Sequence, residues 1–238
     1  PHISNVCNFT KPTETKPSLL TFNEVTTLFH EFGHGLHGML ADTVYPSLSG
    51  TSVYWDFVEL PSQIMENWCY EPEALALFAN HYETGEIIPI EYVQKIKESA
   101  SFQEGLATLR QLSFGLLDMA WHGQDPTNIT DLKTFETEQF ANTQLYPDVK
   151  ENAMSTAFSH IFQGGYSSGY YSYKWAEVLD ADAFEFFQEK GIFNEEVAKK
   201  FKDNVLSKGG TEHPMTLYKR FRGQEPKPEA LLKRAGLL

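Results

Sequence analysis

His30 and His34 stand four residues apart, with Glu31 beside the first of them. On an α-helix that spacing sets the two imidazoles about 40° apart around the axis and one turn apart along it, so both can reach a single metal ion. A glutamate next to the first histidine suits hydrolytic chemistry at such a centre, because a carboxylate can take the proton of an attacking water. A catalytic zinc keeps three protein ligands and one open position, so a third ligand must come from elsewhere in the chain. Both imidazoles should also donate their other N–H to a partner, for which Asp56 and Glu66 are candidates.

The flanking residues predict the helix that must carry this pair. Thr21 and Glu24 have capping-box spacing with Leu20 and Val25 as a flanking staple, and Phe22, Val25, Phe29, Phe32, Leu36 and Met39 recur every three or four residues. That apolar stripe is expected to face a core and to leave His30, Glu31 and His34 on another side. Gly33, Gly35 and Gly38 work against the helix at a cost of about 1 kcal/mol each relative to alanine, so a neighbour is expected to approach it closely.

The metzincin pattern, glycine three and histidine six residues after the second histidine, is excluded because His37 and Leu40 occupy those places. His37 lies two turns beyond His30 and reads as a neighbour of the metal ligands. Downstream, Asp56 and Glu59 again have capping-box spacing, and Pro61 is tolerable only near a helix start. Glu59 is therefore expected in the opening turn of a second helix facing the first, although Glu66 and Glu71 are equally available by residue type.

A second cluster runs from His160 to Tyr173 and includes Gly164, Gly165, Tyr166, Gly169, Tyr170 and Tyr171. Glycines permit a tight or mobile turn, and tyrosine hydroxyls with an imidazole can donate to a developing oxyanion. Aromatic packing beside a glycine turn fits the same residues.

The run from His30 to Gln63, with Leu48-Ser49-Gly50-Thr51-Ser52 and Asp56-Phe57-Val58-Glu59-Leu60-Pro61-Ser62-Gln63, resembles the thimet oligopeptidase family of zinc metallopeptidases. The resemblance extends from Asn5-Val6-Cys7-Asn8-Phe9 to Arg220-Phe221-Arg222-Gly223, essentially the whole chain. It implies a mainly α, zincin-like multi-helical catalytic domain with at most a small β element. It further implies one zinc ion held by His30, His34 and Glu59, with Glu31 as general base. His160, Tyr166 and Tyr173 would contact the substrate or the tetrahedral intermediate, with Tyr170 a weaker candidate; some members have one residue fewer between the histidine and the first tyrosine. The implied substrates are short peptides, from which C-terminal dipeptides are released, or alternatively which are cut internally. Relatives carry a long additional N-terminal region and this chain opens on Pro1, so residues 1–238 are expected to be the C-terminal catalytic part of a larger metallopeptidase. The missing N-terminal region of the same polypeptide would complete the substrate channel, and without it the chain would bind zinc yet hydrolyse little.

Composition bounds these expectations. With 238 residues and 41% hydrophobic content the chain can bury a full core. A net charge of -13 argues against nucleic acid or an anionic membrane as partner. No apolar run reaches membrane-spanning length and no signal peptide opens the chain, so a soluble, cytoplasmic protein is expected. Cys7 and Cys69 are too few for a disulfide framework and read as inert thiols in a reducing compartment.

Helical periodicity marks residues 73–84, 90–121, 131–143, 150–162, 170–190 and 193–207, with short helices after Pro214 and Pro228. Strand signals are confined to the first ten residues and 43–54, and no linker or repeat marks a domain boundary. His2, His81, His122 and His213 read as surface or packing residues, as do Arg220 and Arg222, although a guanidinium fork also fits a peptide carboxylate. A purely structural zinc site is disfavoured because it would need a fourth protein ligand and has no use for Glu31.

Overall fold

Helix follows helix through nearly the whole chain, as the periodicity predicts. The computed structural model describes residues 2–238. In chain order the α-helices are α1 (Phe22–Met39), α2 (Leu60–Glu66), α3 (Pro72–Phe78), α4 (Ile90–Ala100), α5 (Glu104–His122), α6 (Leu132–Phe140), α7 (Met154–Ala157), α8 (Ser172–Lys190), α9 (Glu195–Phe201), α10 (Pro214–Arg222) and α11 (Glu229–Arg234). They divide into two compact units, Pro1–Phe102 with Ala176–Leu238, and Gln103–Trp175. One boundary falls where the 90–121 stretch breaks at Gln103, whose φ of 54° no helix accommodates, and the other falls inside α8. Only three residues separate α4 from α5 and none interrupts α8, which is why no linker was visible in the sequence.

In the first unit, Leu179, Ala183, Phe184 and Phe187 of α8 are buried together with Phe201, Val205, Leu217 and Phe221. Trp68 sets its ring edge-on against Phe184 and Phe187, with centroids 4.8 and 5.1 Å away. Buried charge in this core is paired, as desolvation demands. Asn67 Nδ2 donates to Asp180 Oδ1 at 2.8 Å, and the Arg234 guanidinium pairs with the same carboxylate, which ties the end of α2 to α8.

The close neighbour of α1 is α2. A Cβ at Gly33 would lie 2.2 Å from the Pro61 carbonyl oxygen and 2.5 Å from Ser62 Cα, so only glycine fits there. This contact overturns one expectation. Gly33, Gly35 and His37 are the buried residues of α1, whereas Phe32 and Met39 of the apolar stripe are 44% and 39% exposed. Glycine lets backbone pack on backbone, and that contact decides which face turns inward. Burial, with His34 nearby, pushes the His37 imidazole down to about 4, so it is neutral at ordinary pH.

The strand expectations are also corrected. Residues 2–10 form no strand, Pro1 lies outside the described residues, and 43–54 holds only a short turn of 3-10 helix at Pro46–Leu48. A strand needs a ladder partner, and the only pairing among the described residues is one antiparallel bridge between Asn80 and Ile87. Residues 48–52 are instead pinned locally, the Gly210 N–H donating to the Leu48 carbonyl at 2.8 Å.

The second unit packs Phe114, Leu117, Phe135, Phe158 and Ile161 into its own core. Two wholly buried carboxylates punctuate it. Glu136 accepts the backbone N–H groups of Met154 and Ser155 at 3.0 and 2.5 Å; Asp118 is described below. Among the described residues no helix is long and apolar enough to cross a membrane.

Candidate metal centre

The start of α1 is fixed by the capping box read from the sequence. The Glu24 N–H donates to Thr21 Oγ1 at 3.3 Å, and the Thr21 N–H donates back to the Glu24 carboxylate at 2.7 Å. From there one turn carries His30 to His34. Helix α2 starts differently from expectation. Asp56 lies in a separate turn at Trp55–Phe57, and Glu59 occupies the residue before the first helical turn without capping it. Its carboxylate is turned toward α1 instead.

That orientation brings the three expected ligands together. His30 Nε2 and His34 Nε2 each lie 3.3 Å from Glu59 Oε2. Tetrahedral zinc with bonds of about 2.0–2.1 Å needs ligand atoms about 3.3–3.4 Å apart, the spacing at which each imidazole stands from the Glu59 carboxylate. Among the described residues this is the only group of three such side chains whose ligand atoms converge, all within 4.8 Å of one another. Glu71, the other carboxylate considered, bonds Gln188 at 3.1 Å and pairs with Lys97 at 3.6 Å.

The electrostatics favour a cation. Burial would lower His30, but hydrogen bonds to Glu59 and Glu66 outweigh it and hold the imidazole up at about 10. Burial would likewise raise Glu59, but bonds from His30, His34 and Ser62 hold its carboxyl well below the usual carboxylate range. A proton or a metal ion can satisfy the same demand, and binding a metal displaces the proton.

Glu66 accepts the His30 Nδ1–H at 2.7 Å, which leaves Nε2 facing Glu59. Ser62 donates its hydroxyl to Glu59 Oε2 at 2.8 Å. The expectation of an outer partner is met at His30 alone, because His34 Nδ1 is buried without a hydrogen-bond partner among the described residues. Glu31 sits half-buried on α1 beside His30.

The remaining candidates form a group of their own in the second unit. His160 Nε2 and the Tyr173 hydroxyl share a hydrogen bond at 3.2 Å. Tyr166 stacks on Tyr173 with centroids 4.9 Å apart and meets the His160 ring edge-on at 4.6 Å. Tyr170 sets its ring edge-on against His160 and Tyr173, with centroids 5.6 and 5.3 Å away, but its hydroxyl donates to Gln111 at 3.0 Å and its ring also packs on Phe114 and Phe158.

Elsewhere, His2 and His81 are exposed, and His213 caps α10 by accepting the Met215 N–H. Arg220 is held by Glu212, while Arg222 pairs with Asp182, Glu185 and Glu189, so both guanidinium groups are engaged within the fold. Burial pushes the Cys69 thiol up to about 12, an inert state. The sequence reading missed the parts of Ser62 and Asp118. Only the four-residue spacing of Asp118 and His122 offered a signal.

The profile of Peptidase family M3 matches residues 1–237. The chain is 52% identical over 234 residues to oligopeptidase A of Escherichia coli (strain K12), covering 97% of this chain and 34% of that protein. It is 41% identical over 239 residues to dipeptidyl carboxypeptidase of the same organism, covering 100% of this chain and 35% of that protein. With a thimet-like oligopeptidase of Dictyostelium discoideum it shares 37% identity over 239 residues, again 100% of this chain and 35% of the relative. The chain thus spans about a third of the length of the curated relatives it matches.

Proposed function

Because the chain belongs to peptidase family M3, we propose that it hydrolyses peptide bonds in short peptides with one zinc ion held by His30, His34 and Glu59. The observation that carries this reading is the convergence of those three donors within 4.8 Å of one another beside Glu31, each imidazole 3.3 Å from the Glu59 carboxylate. When bound, zinc would supply Lewis acidity, lowering the pKa of a water toward neutrality and polarising the scissile carbonyl.

The chain's own residues would do the rest. Glu66 holds the His30 ring in its ligating orientation, and Ser62 steadies the Glu59 carboxylate. Glu31 takes the proton of the attacking water and passes it to the leaving amine. His160, Tyr166 and Tyr173 donate to the developing oxyanion, a role supported by their assembly into one polar group.

In this reading the chain is the catalytic part of a longer peptidase, and the remaining polypeptide helps enclose the peptide. Two free cysteines, one buried, suit a reducing cytoplasmic setting. The higher identity to oligopeptidase A than to dipeptidyl carboxypeptidase favours an oligopeptidase mode over dipeptide release, although dipeptide release is the first expectation from the sequence. Mass-spectrometric product analysis tests this with one short peptide, free or amidated at its C-terminus, and a chelator control. Chelator-sensitive internal cuts in both forms are expected. Dipeptide release from the free form alone would establish the other mode, and bound zinc without cleavage would show that the rest of the polypeptide is required.

A further inference from the structure

Asp118 lies on α5 with its side chain 0% exposed, and its bonds converge on the turn that carries the tyrosines. Oδ1 accepts the Ser168 N–H at 2.9 Å and Oδ2 accepts the Tyr170 N–H at 2.9 Å. His122, one helical turn along α5, places Nδ1 2.9 Å from both Oδ1 of the same carboxylate and the Asp118 backbone carbonyl. Packing alone explains none of this, because an apolar side chain of equal volume would fill the space and accept nothing.

The bonded segment is one whose conformation needs holding. The chain reaches it through Gly164 and Gly165 at φ 83° and 87°, and Ser168 itself adopts φ 55°, which a residue bearing a Cβ rarely does. The Gly169 N–H closes back on the Tyr166 carbonyl at 2.8 Å, and the Ser172 N–H donates to the Gly169 carbonyl at 3.0 Å as α8 begins. The amides of Ser168 and Tyr170 lie in this irregular turn, outside the ladder of any helix, so their partners must come from elsewhere in the fold. Asp118 supplies both partners at once. Tyr166 stands two residues before the pinned segment and Tyr173 three residues after it, so fixing the segment fixes the distance between their rings and the bond from Tyr173 to His160.

We infer that Asp118, backed by His122, is the positioning residue of the His160, Tyr166 and Tyr173 group: it locks the Ser168 and Tyr170 amides and thereby sets where those polar groups stand. The inference rests on the reading of these groups as oxyanion donors.

Asp118→Asn in the zinc-loaded protein tests it, since the amide keeps the volume and loses one of the two acceptors. Hydrogen exchange, which needs no turnover, should speed up about tenfold or more in the segment 166–173 while α1 and zinc content stay unchanged. On a short peptide kcat should fall about ten- to a hundredfold with KM altered less than about threefold. In a Tyr173→Phe background the same substitution should cost much less, because the two act through one group. Should Asp118→Asn fail to fold, His122→Ala should show the same pattern more weakly. Unchanged exchange in 166–173, or equal losses in both backgrounds, would overturn the inference and leave the donor reading standing. Full kcat in Tyr173→Phe alone would overturn the donor reading itself.

Discussion

The proposed metal ligands stand on α1 and just before α2, two helices that touch backbone to backbone, whereas His160, Tyr166 and Tyr173 flank or lie in a glycine-rich turn held by a buried carboxylate. Helices α1 and α2 meet where Gly33 lies under Pro61, and the end of α2 is tied to α8 through Asn67 and Asp180. In the turn, side chains are fixed by hydrogen bonds to a few amides, which gives up rigidity for a conformation that regular helix cannot provide. The first arrangement suits an ion with fixed bond lengths, and the second suits a substrate that must enter and leave.

Substitutions in the two regions should therefore fail differently. The largest effect is expected for Glu31→Gln, which should lower kcat by about 10²–10⁴-fold with zinc retained, as steady-state rates and metal analysis would report. Full turnover in that variant would remove Glu31 from the mechanism. Tyr173→Phe should follow, lowering kcat about 10²–10³-fold with little change in KM, while a change confined to KM would mark uniform substrate binding. Glu66→Gln should weaken zinc affinity about 10–100-fold through the His30 ring, measured by competition with a chelator; unchanged affinity would make Glu66 a bystander.

Gly33→Ala sharpens the contrast within the helix pair. A methyl group 2.2 Å from the Pro61 oxygen forces α2 away from α1, so thermal unfolding should show a loss of about 1–3 kcal/mol accompanied by poorer zinc retention. A methyl group at Gly164 would meet no neighbour within 4 Å, although φ 83° strains it.

The smallest effects concern pH. In the metal-free protein His30 is held up at about 10 against an ordinary 6.5, so its pairing stabilises the fold fully below about 6.5 and is lost as pH rises through 10. Glu59 is held below its ordinary 4.5, so its contribution is present above that value and is lost as pH falls further. Buried His37, held down to about 4, costs stability as pH falls below its ordinary 6.5, so melting temperatures of the metal-free protein should peak near about 6.5, whereas zinc retention should strengthen as pH rises and the ligands lose protons. A metal-free maximum in the alkaline range would contradict the pairing of His30 with Glu59 and Glu66.

Much of the candidate site's geometry was legible because it obeys local rules. Thr21, Glu24 and the four-residue histidine spacing belong to one helix, and Gly33 betrayed the close neighbour. The burial of the α1 faces was not legible, since the apolar stripe with Phe32 and Met39 marks a face by residue type while the glycine contact fixes the face by geometry. The strand reading of 43–54 failed for a related reason: a suitable composition forms a ladder only when a partner strand exists. Asp118 was invisible because its partners are amides fifty and fifty-two residues away, and a backbone N–H leaves no trace in the sequence.

Zinc content after dialysis, compared between the wild-type chain and Glu59→Ala, tests the central claim most directly. One zinc per chain in the wild type and little in the variant is the predicted result. Equal zinc in both, or none in the wild type, would contradict the assignment of His30, His34 and Glu59 as the metal centre.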